Sequence, residues 1–189
     1  MNQLFNPVEM LLKDSQQVRV LSFKNFNLTY LPIDLKVFSK LESLDLSVNQ
    51  LKKLPENIVK LKKLRKINLS SNSKMNWSQA LSILSQCPNL EQIDLSYNRL
   101  TEIPAELYHF ENLKKLVLDH NPLNVFAERN LMNLPDSLEN ISFVDCCEGE
   151  VANRLRKFNS IKSLKTTIYN YDLLQQIHFL LPNATVLVQ

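Results

Sequence analysis

The residues best suited to chemistry lie in the second half of the chain. Asp119 and His120 are adjacent, and Asp145 and Cys146 follow further along. A cysteine and a histidine within hydrogen-bond reach can form an activated nucleophile. Such a site also needs donors for a developing oxyanion, and a single glycine, Gly149, is available for a tight donor loop. The set is a weak candidate for catalysis, and we predict that the protein is not an enzyme.

Cofactor and metal sites are not indicated either. The three cysteines are Cys87 and the adjacent pair Cys146 and Cys147, and they show no metal-ligand spacing. Glycine-rich loops that cradle phosphates or dinucleotides cannot be built from one glycine. The sequence therefore predicts no cofactor, no metal, and the reduced thiols of a cytosol-like compartment.

The chain shows no targeting signal that we recognise. Residues 1–7 lack both a basic segment and a long apolar run, and no apolar stretch is long enough to span a bilayer. We therefore expect a cytoplasmic protein without a membrane span. Export by a non-classical route into a host cell stays open.

Basic residues are concentrated in one segment. The net charge is +3, but Lys52–Lys66 contains seven basic residues and one acid, Glu56, so the rest of the chain carries −3. Aromatic side chains that would stack on bases are missing from this segment. A solvated surface is the preferred interpretation, with an acidic protein partner next and nucleic acid or phosphate-rich lipid last. We expect no nucleic-acid partner.

The elements that must position these residues follow an internal repeat. Leu41, Leu44, Leu46, Asn49 and Leu51 spell L-x-x-L-x-L-x-x-N-x-L. This mixed spacing differs from the 3.6-residue period of an amphipathic helix and predicts about eight stacked coils. Their first positions are residues 18, 41, 64, 90, 113, 138, 161 and 184.

This pattern resembles the leucine-rich-repeat family over residues 18–189. The resemblance implies one α/β solenoid domain, a right-handed horseshoe with a parallel sheet on its concave face and mixed 3₁₀, extended and helical segments on its convex face. It also implies an asparagine ladder that satisfies backbone groups in the turns. The ladder residues are Asn49, Asn72, Asn98 and Asn121. Cys146 takes the same slot in the sixth coil, which argues against its use as a nucleophile, and Phe26 is a departure in the first coil.

The segments that return from one strand to the next should differ in type. Three of them carry a Leu-Pro or Ile-Pro step, at Pro32, Pro55 and Pro104. Proline removes an amide and disfavours regular helix, so these returns should be extended or 3₁₀. The third return lacks the step and predicts a helix at 76–84. Apolar residues three and four apart predict further helices at about 149–158 and 171–181.

Both ends of a stacked solenoid need a cover, because a terminal coil exposes half of its core. Residues 1–17 predict an N-terminal helical cap, with Asn6 at the N-cap and Pro7 at the first helical position. At the other end, residues 186–188 predict an apolar edge strand, which invites pairing. We expect the last helix to fold over this edge. A weak homodimer or another partner at the edge is the alternative.

The residues between the inward positions of each strand should face solvent on the concave sheet. Across the coils this face is mostly small and polar, with tyrosine, histidine and acids toward its C-terminal half. Tyrosine is a favoured hot-spot residue, and charges can set the register of a partner. The candidate partner contacts are Asp45, Lys66, Asn68, Asp94, Tyr97, Lys115, Asp119, His120 and Asp145.

We expect no second domain beside the repeats. We therefore predict a non-enzymatic module that binds a protein partner through the concave sheet face. The alternative is a secreted bacterial effector that engages a host regulatory protein through the same face, because the fold does not choose between the two.

Overall fold

A computed structural model of the chain describes residues 14–123, 134–146, 160–167 and 171–189. Within them, eight strands form one sheet in chain order, and every neighbouring pair is parallel. This is the predicted α/β solenoid of leucine-rich repeats. The strands are β1 Val20–Ser22, β2 Ser43–Asp45, β3 Lys66–Asn68, β4 Gln92–Asp94, β5 Lys115–Val117, β6 Asn140–Phe143, β7 Ser163–Thr166 and β8 Thr185–Val188.

The repeat frame sets the strand register. Leu44 lies opposite Ile67, and Ile67 lies opposite Ile93, so equivalent positions of successive coils stack without slip. The middle residue of each strand from β2 to β5 is buried, whereas its two neighbours are at least partly exposed. Because side chains alternate along a strand, the fourth position of each coil faces the core and the third and fifth face away from it.

The core is a column of aliphatic side chains behind the sheet. The first, fourth and sixth positions supply it, as Leu90, Ile93 and Leu95 do in the fourth coil, where all three are buried. One cluster of buried side chains runs from Leu21 to Leu181. The described coils therefore share a single core, and each coil is stabilised mainly by the coils beside it.

The return segments divide as the sequence predicts. The proline-bearing coils return through 3₁₀ segments at Leu35–Val37, Glu56–Lys60 and Ala105–His109. The longer third return is the α-helix Trp77–Leu84, whose N-terminus is capped by the Asn76 side chain.

A second α-helix, Tyr171–Leu180, confirms the prediction for that part of the chain. The helix predicted at 149–158 lies outside the described residues. Among the helices that the structure describes, none combines the length and apolar character needed to cross a membrane.

The asparagine ladder joins successive turns. Asn98 Nδ2 donates to the carbonyls of Leu69 at 3.0 Å and Leu95 at 2.9 Å, and its Oδ1 accepts from the Asn72 amide at 2.5 Å. Each ladder side chain thus satisfies buried backbone groups of its own coil and of the preceding one. Cys146 occupies the predicted slot, with Sγ 2.8 Å from the Leu118 carbonyl.

Of the two ends, the C-terminal one can be compared with its prediction. The predicted N-terminal cap falls mostly on residues 1–13, which lie outside the described residues. At the other end Ile177 and Leu181 are buried in the core, while Leu187 and Val188 of β8 stay 49% and 47% exposed. The last helix therefore packs into its own coil and does not cover the edge strand, contrary to the expectation. A weak homodimer through β8 stays a prediction.

Candidate functional site

The third and fifth positions of the coils form a continuous surface, here called the open face. Its central part is a shallow depression of about 270 Å³ over β2 to β5. A second depression of about 280 Å³ continues toward β8 and shares Lys115 and Val117 with the first. The open face is therefore a trough that runs across the strands. Its central side chains are Ser43, Asp45, Lys66, Asn68, Gln92, Asp94, Lys115 and Val117.

Four charged side chains stand on the open face over β2 to β5, in alternating sign. They are Asp45 on β2, Lys66 on β3, Asp94 on β4 and Lys115 on β5. None of them makes an ion pair within the described residues. The acids stand at the fifth position and the lysines at the third, so opposite charges are diagonal neighbours about 7–8 Å apart rather than direct ones. The charges therefore stay available to a partner.

Asp45, Asn68 and Asp94 also have a structural task. The Oδ1 atom of each accepts the backbone amide two residues further on, at 2.9 Å in all three cases. Such side-chain bonds end a strand by starting a turn. For Asp45 and Asp94 the second carboxylate oxygen accepts no hydrogen bond from the part of the chain that the structure describes, so it can still accept one from a ligand.

Tyr97, His120 and Asp145 form a row just past the strand ends, here called the strand-end row. The Tyr97 and His120 rings are stacked, with centroids 4.2 Å apart and planes 19° apart. His120 Nδ1 lies 3.2 Å from Asp145 Oδ2, and Asp145 Oδ1 accepts from the Thr167 hydroxyl at 3.0 Å. These contacts hold the Tyr97 ring in place while 55% of the residue stays exposed. A fixed, exposed aromatic ring is a typical binding anchor.

Every coil from the first to the sixth has a left-handed backbone at this position. Tyr97 and His120 have φ of 57° and 55°, and Val48 has φ of 57°. Asparagine and aspartate tolerate this conformation, whereas a bulky or β-branched residue there costs of order 1 kcal/mol. The repeat frame alone predicts Tyr97 and His120 on the sheet face, but the chain has already turned there. The sequence signal for the turn is the small or polar residue at this position in other coils, such as Ser71.

The seventh position also departs from the predicted solvent-facing column. Ser47 and Ser96 are buried. Asp119 is half-buried, and its Oδ1 accepts from the Ser142 hydroxyl at 2.6 Å and the Val144 amide at 2.8 Å. Asp119 therefore joins the fifth and sixth coils, because the chain curls inward as it leaves the strand. Its role as a partner contact stays a prediction.

A row of charged side chains lies at the second position of the coils. The sequence prediction of partner contacts did not include this position. We call this row the rim ladder. Its charge alternates in sign from coil to coil, and opposite charges pair across the coils. The members are Arg19, Glu42, Arg65, Glu91, Lys114, Glu139 and Lys162. The pairs are Arg19–Glu42 at 2.5 Å, Arg65–Glu91 at 2.7 Å, Lys114–Glu91 at 3.5 Å and Lys162–Glu139 at 2.9 Å.

The rim ladder and the open face divide the basic segment Lys52–Lys66 between them. Arg65 belongs to the rim ladder and Lys66 to the open face. The other basic residues of the segment are exposed before β3, between the second and third strands. The cluster therefore does not form one basic surface.

Glu91 forms ion pairs with two other members of the rim ladder, Arg65 and Lys114. The Arg65 guanidinium bonded to it holds the pKa of this carboxyl below its ordinary value of 4.5, and Lys114 acts in the same direction. A lowered folded-state pKa stabilises the protein above the unfolded value and loses that contribution as the pH falls through the folded value. Glu91→Gln should therefore lower the free energy of unfolding by about 0.5–1 kcal/mol at pH 7, as for other partly exposed pairs. Urea unfolding of both proteins from pH 7 to pH 3 measures it.

The difference between the two proteins should shrink as the pH falls below about 4.5, because the unfolded-state carboxyl binds a proton first, and it should vanish once the folded-state carboxyl is protonated as well. Glu102→Gln is the control, since Glu102 is exposed and makes no ion pair among the described residues. A Glu91→Gln effect that is constant with pH would rule out the ion pairs as its cause.

The two thiols that the structure describes, Cys87 and Cys146, are buried. Burial raises the pKa of the Cys87 thiol to about 11, which leaves little thiolate at neutral pH. Cys146 is buried with Sγ against the Leu118 carbonyl, while the His120 ring lies between Tyr97 and Asp145. Neither arrangement activates a thiol as a nucleophile.

Comparisons with known proteins agree with this geometry. Residues 81–123 match one family model described as Leucine rich repeat, and residues 40–61 match a second one with the same description. A comparison with curated proteins gives no match. Among solved structures, the chain is similar to human 5T4 (Wnt-activated inhibitory factor 1, trophoblast glycoprotein), with 20% identity and a TM-score of 0.62 over 92% of this chain and 77% of that chain. It is also similar to an internalin of Listeria monocytogenes, with 16% identity and a TM-score of 0.50 over 93% of this chain and 62% of that chain.

At these identities the likeness to solved structures shows the fold. The ordered parallel sheet, the asparagine ladder and the mixed 3₁₀ and helical returns define a solenoid built from short repeats. The chain is a leucine-rich-repeat protein. This family suggests a protein–protein interaction module.

Proposed function

We propose that the protein is a non-enzymatic module that binds a protein partner through the open face, with the strand-end row as its anchor. The partner contacts are the predicted ones, centred on Asp94 and Tyr97. Asp119 takes part through its position beside the anchor.

The observation that carries this proposal is a contrast between two neighbouring columns of charge. On the rim ladder the charges neutralise one another across the coils, with side chains that meet at 2.5–3.5 Å. One residue further along the strands, Lys66 and Lys115 have no charged partner among the described residues, and neither do Asp45 and Asp94. Charges left without internal partners in a trough are suited to a partner of complementary charge.

The anchor supports the same face. Tyr97 carries a large apolar ring whose orientation is fixed by His120, so little conformational entropy is lost when a partner packs against it. Tyrosine is among the residues that dominate binding energy in protein interfaces.

The alternative, a secreted bacterial effector acting on a host regulatory protein, would use the same face. The likeness to an internalin is one of fold alone and does not favour it.

Site-specific photo-cross-linking tests the proposed face. A photoreactive amino acid replaces Gln92, which lies in the middle of the open face, or Gln86, which is exposed on the return segment before β4. In extracts of the source cells, we expect a covalent adduct with a discrete protein from position 92 and none from position 86. Adducts from position 86 alone, or from neither position, would contradict the proposal.

A further inference from the structure

We propose that the partner element is an α-helix that lies in the trough across the strands and carries alternating lysines and glutamates. This inference rests on the proposed function, because it names what the open face binds. It follows from the spacing of the four unpaired charges.

The charges form two columns with a regular spacing. Neighbouring strands are about 4.8 Å apart, so Asp45 and Asp94, two strands apart, are separated by about 9.6 Å. Lys66 and Lys115 have the same separation and are displaced by one strand. The columns lie two residues apart along the strands, which is about 6.6 Å. The partner must therefore present two parallel columns of opposite charge.

An α-helix has this pattern on one face. Residues seven apart lie on the same side of a helix and are about 10.5 Å apart along its axis, close to the separation within each column. Residues three or four apart lie about 4.5–6 Å apart along the axis and are rotated to one side, close to the offset between the columns. Lysines at i and i+7 can thus face Asp45 and Asp94 while two glutamates face Lys66 and Lys115.

The handedness of the solenoid selects the position of the glutamates. Crossovers between parallel strands are right-handed, which fixes the order of the coils as seen from the open face. For a right-handed partner helix that runs from β2 toward β5, residues four further along then rotate toward the lysine column of this protein, and residues three further along rotate away from it. The glutamates should therefore stand at i+4 and i+11; in a helix of the opposite direction they stand at the same spacing counted toward its N-terminus.

An extended strand in the trough does not fit. At about 3.3 Å per residue, like charges 9.6 Å apart would be three residues apart, and such residues point to opposite sides of a strand. The trough also suits a helix in its surface chemistry, since Ser43, Asn68 and Gln92 are small or flexible and Val117 offers an apolar contact.

The test uses two stapled helical peptides of equal composition and the full-length protein. The matched peptide has Lys at i and i+7 and Glu at i+4 and i+11. The control peptide has Lys at i and i+4 and Glu at i+7 and i+11, so two like charges meet on the open face whichever way the helix runs. We expect the protein to bind the matched peptide at least tenfold more tightly by calorimetry at low salt. Equal affinities, or no binding of the matched peptide at the highest concentration tested, would overturn the inference.

Charge-reversal variants locate the effect. Lys66→Glu with Lys115→Glu should abolish the preference for the matched peptide, and this variant should instead bind a peptide with Lys at all four positions. Lys62→Glu with Lys63→Glu changes the net charge equally but lies off the open face, so the preference should be unchanged. A loss of preference in this control would mean that net charge, not position, governs binding.

The two proposals can fail separately. Cross-linking from position 92 together with no peptide preference would leave the proposed function in place and remove the helix. Peptide preference without any cross-linked protein would show the reverse.

Discussion

Asn98→Ala should lower the free energy of unfolding by at least about 3 kcal/mol. The side chain is buried and satisfies the carbonyls of Leu69 and Leu95 and the amide of Asn72. Alanine would leave these buried groups without that partner, at a cost of about 1–3 kcal/mol for each group left unsatisfied. The loss should be large because it affects the contacts between the third and fourth coils, on which a solenoid depends.

Equilibrium unfolding in urea, followed by circular dichroism, measures this effect. Asn89→Ala is the matched control, since the exposed Asn89 side chain makes one hydrogen bond, to the Lys62 carbonyl at 2.8 Å. Its cost should stay below about 1 kcal/mol. An Asn98→Ala loss as small as that of the control would mean that water replaces the ladder and that the turns do not need it.

The fold could be predicted because the same sequence pattern recurs in successive coils and predicts the same local structure in each of them. Leu44, Ile67 and Ile93 occupy one position of the frame, and each needs the same buried environment, so their stacking follows from the spacing. The proline steps likewise predict 3₁₀ returns because the restriction on the proline backbone is local. The packing of the last helix and the exposure of the edge strand could not be predicted in this way, since the spacing of apolar residues in 171–189 predicts a helix but not the surface against which it packs.

The placement of some candidate contacts could be predicted from the sequence, but the geometry at the strand ends could not. Lys66, Asp94 and Lys115 lie on the open face because alternation along a strand is a strict rule. Tyr97 and His120 depart from it, since the left-handed turn begins there without a glycine to mark it. The stacking of their rings depends on the shape of that turn in two coils, which no single repeat encodes.

The structural role of three side chains at the strand ends could not be predicted from the sequence. Asp45, Asn68 and Asp94 cap the strand ends through one oxygen, and their sequence position is equally compatible with a pure surface role. The rim ladder was readable, because its members alternate in sign at one position of the frame. Salt bridges between exposed side chains stabilise a protein only slightly. The rim ladder is informative here because it shows which charges on the neighbouring column remain unpaired.

The last prediction concerns binding. Asp94→Lys together with Tyr97→Ala should weaken capture of the protein partner by at least roughly 100-fold, since it removes a hot-spot aromatic ring and reverses a charge in the trough. The double substitution also removes the Asp94 oxygen that accepts a hydrogen bond from the Ser96 amide. A second variant, Asp94→Asn with Tyr97→Ala, keeps an acceptor oxygen there and so separates the loss of charge from a change in the turn.

Quantitative affinity capture from source-cell extracts, with partner amounts read by mass spectrometry, tests the open face most directly. The matched control is Glu102→Lys with Tyr108→Ala, the same substitutions at exposed residues of the fourth return segment. We predict that both open-face variants lose the captured partner, that the Asp94→Asn variant keeps a urea unfolding midpoint near that of the wild type, and that the control captures as the wild type does. Unchanged capture by the open-face variants, with loss in the control, would place the binding surface on the return segments and contradict the account.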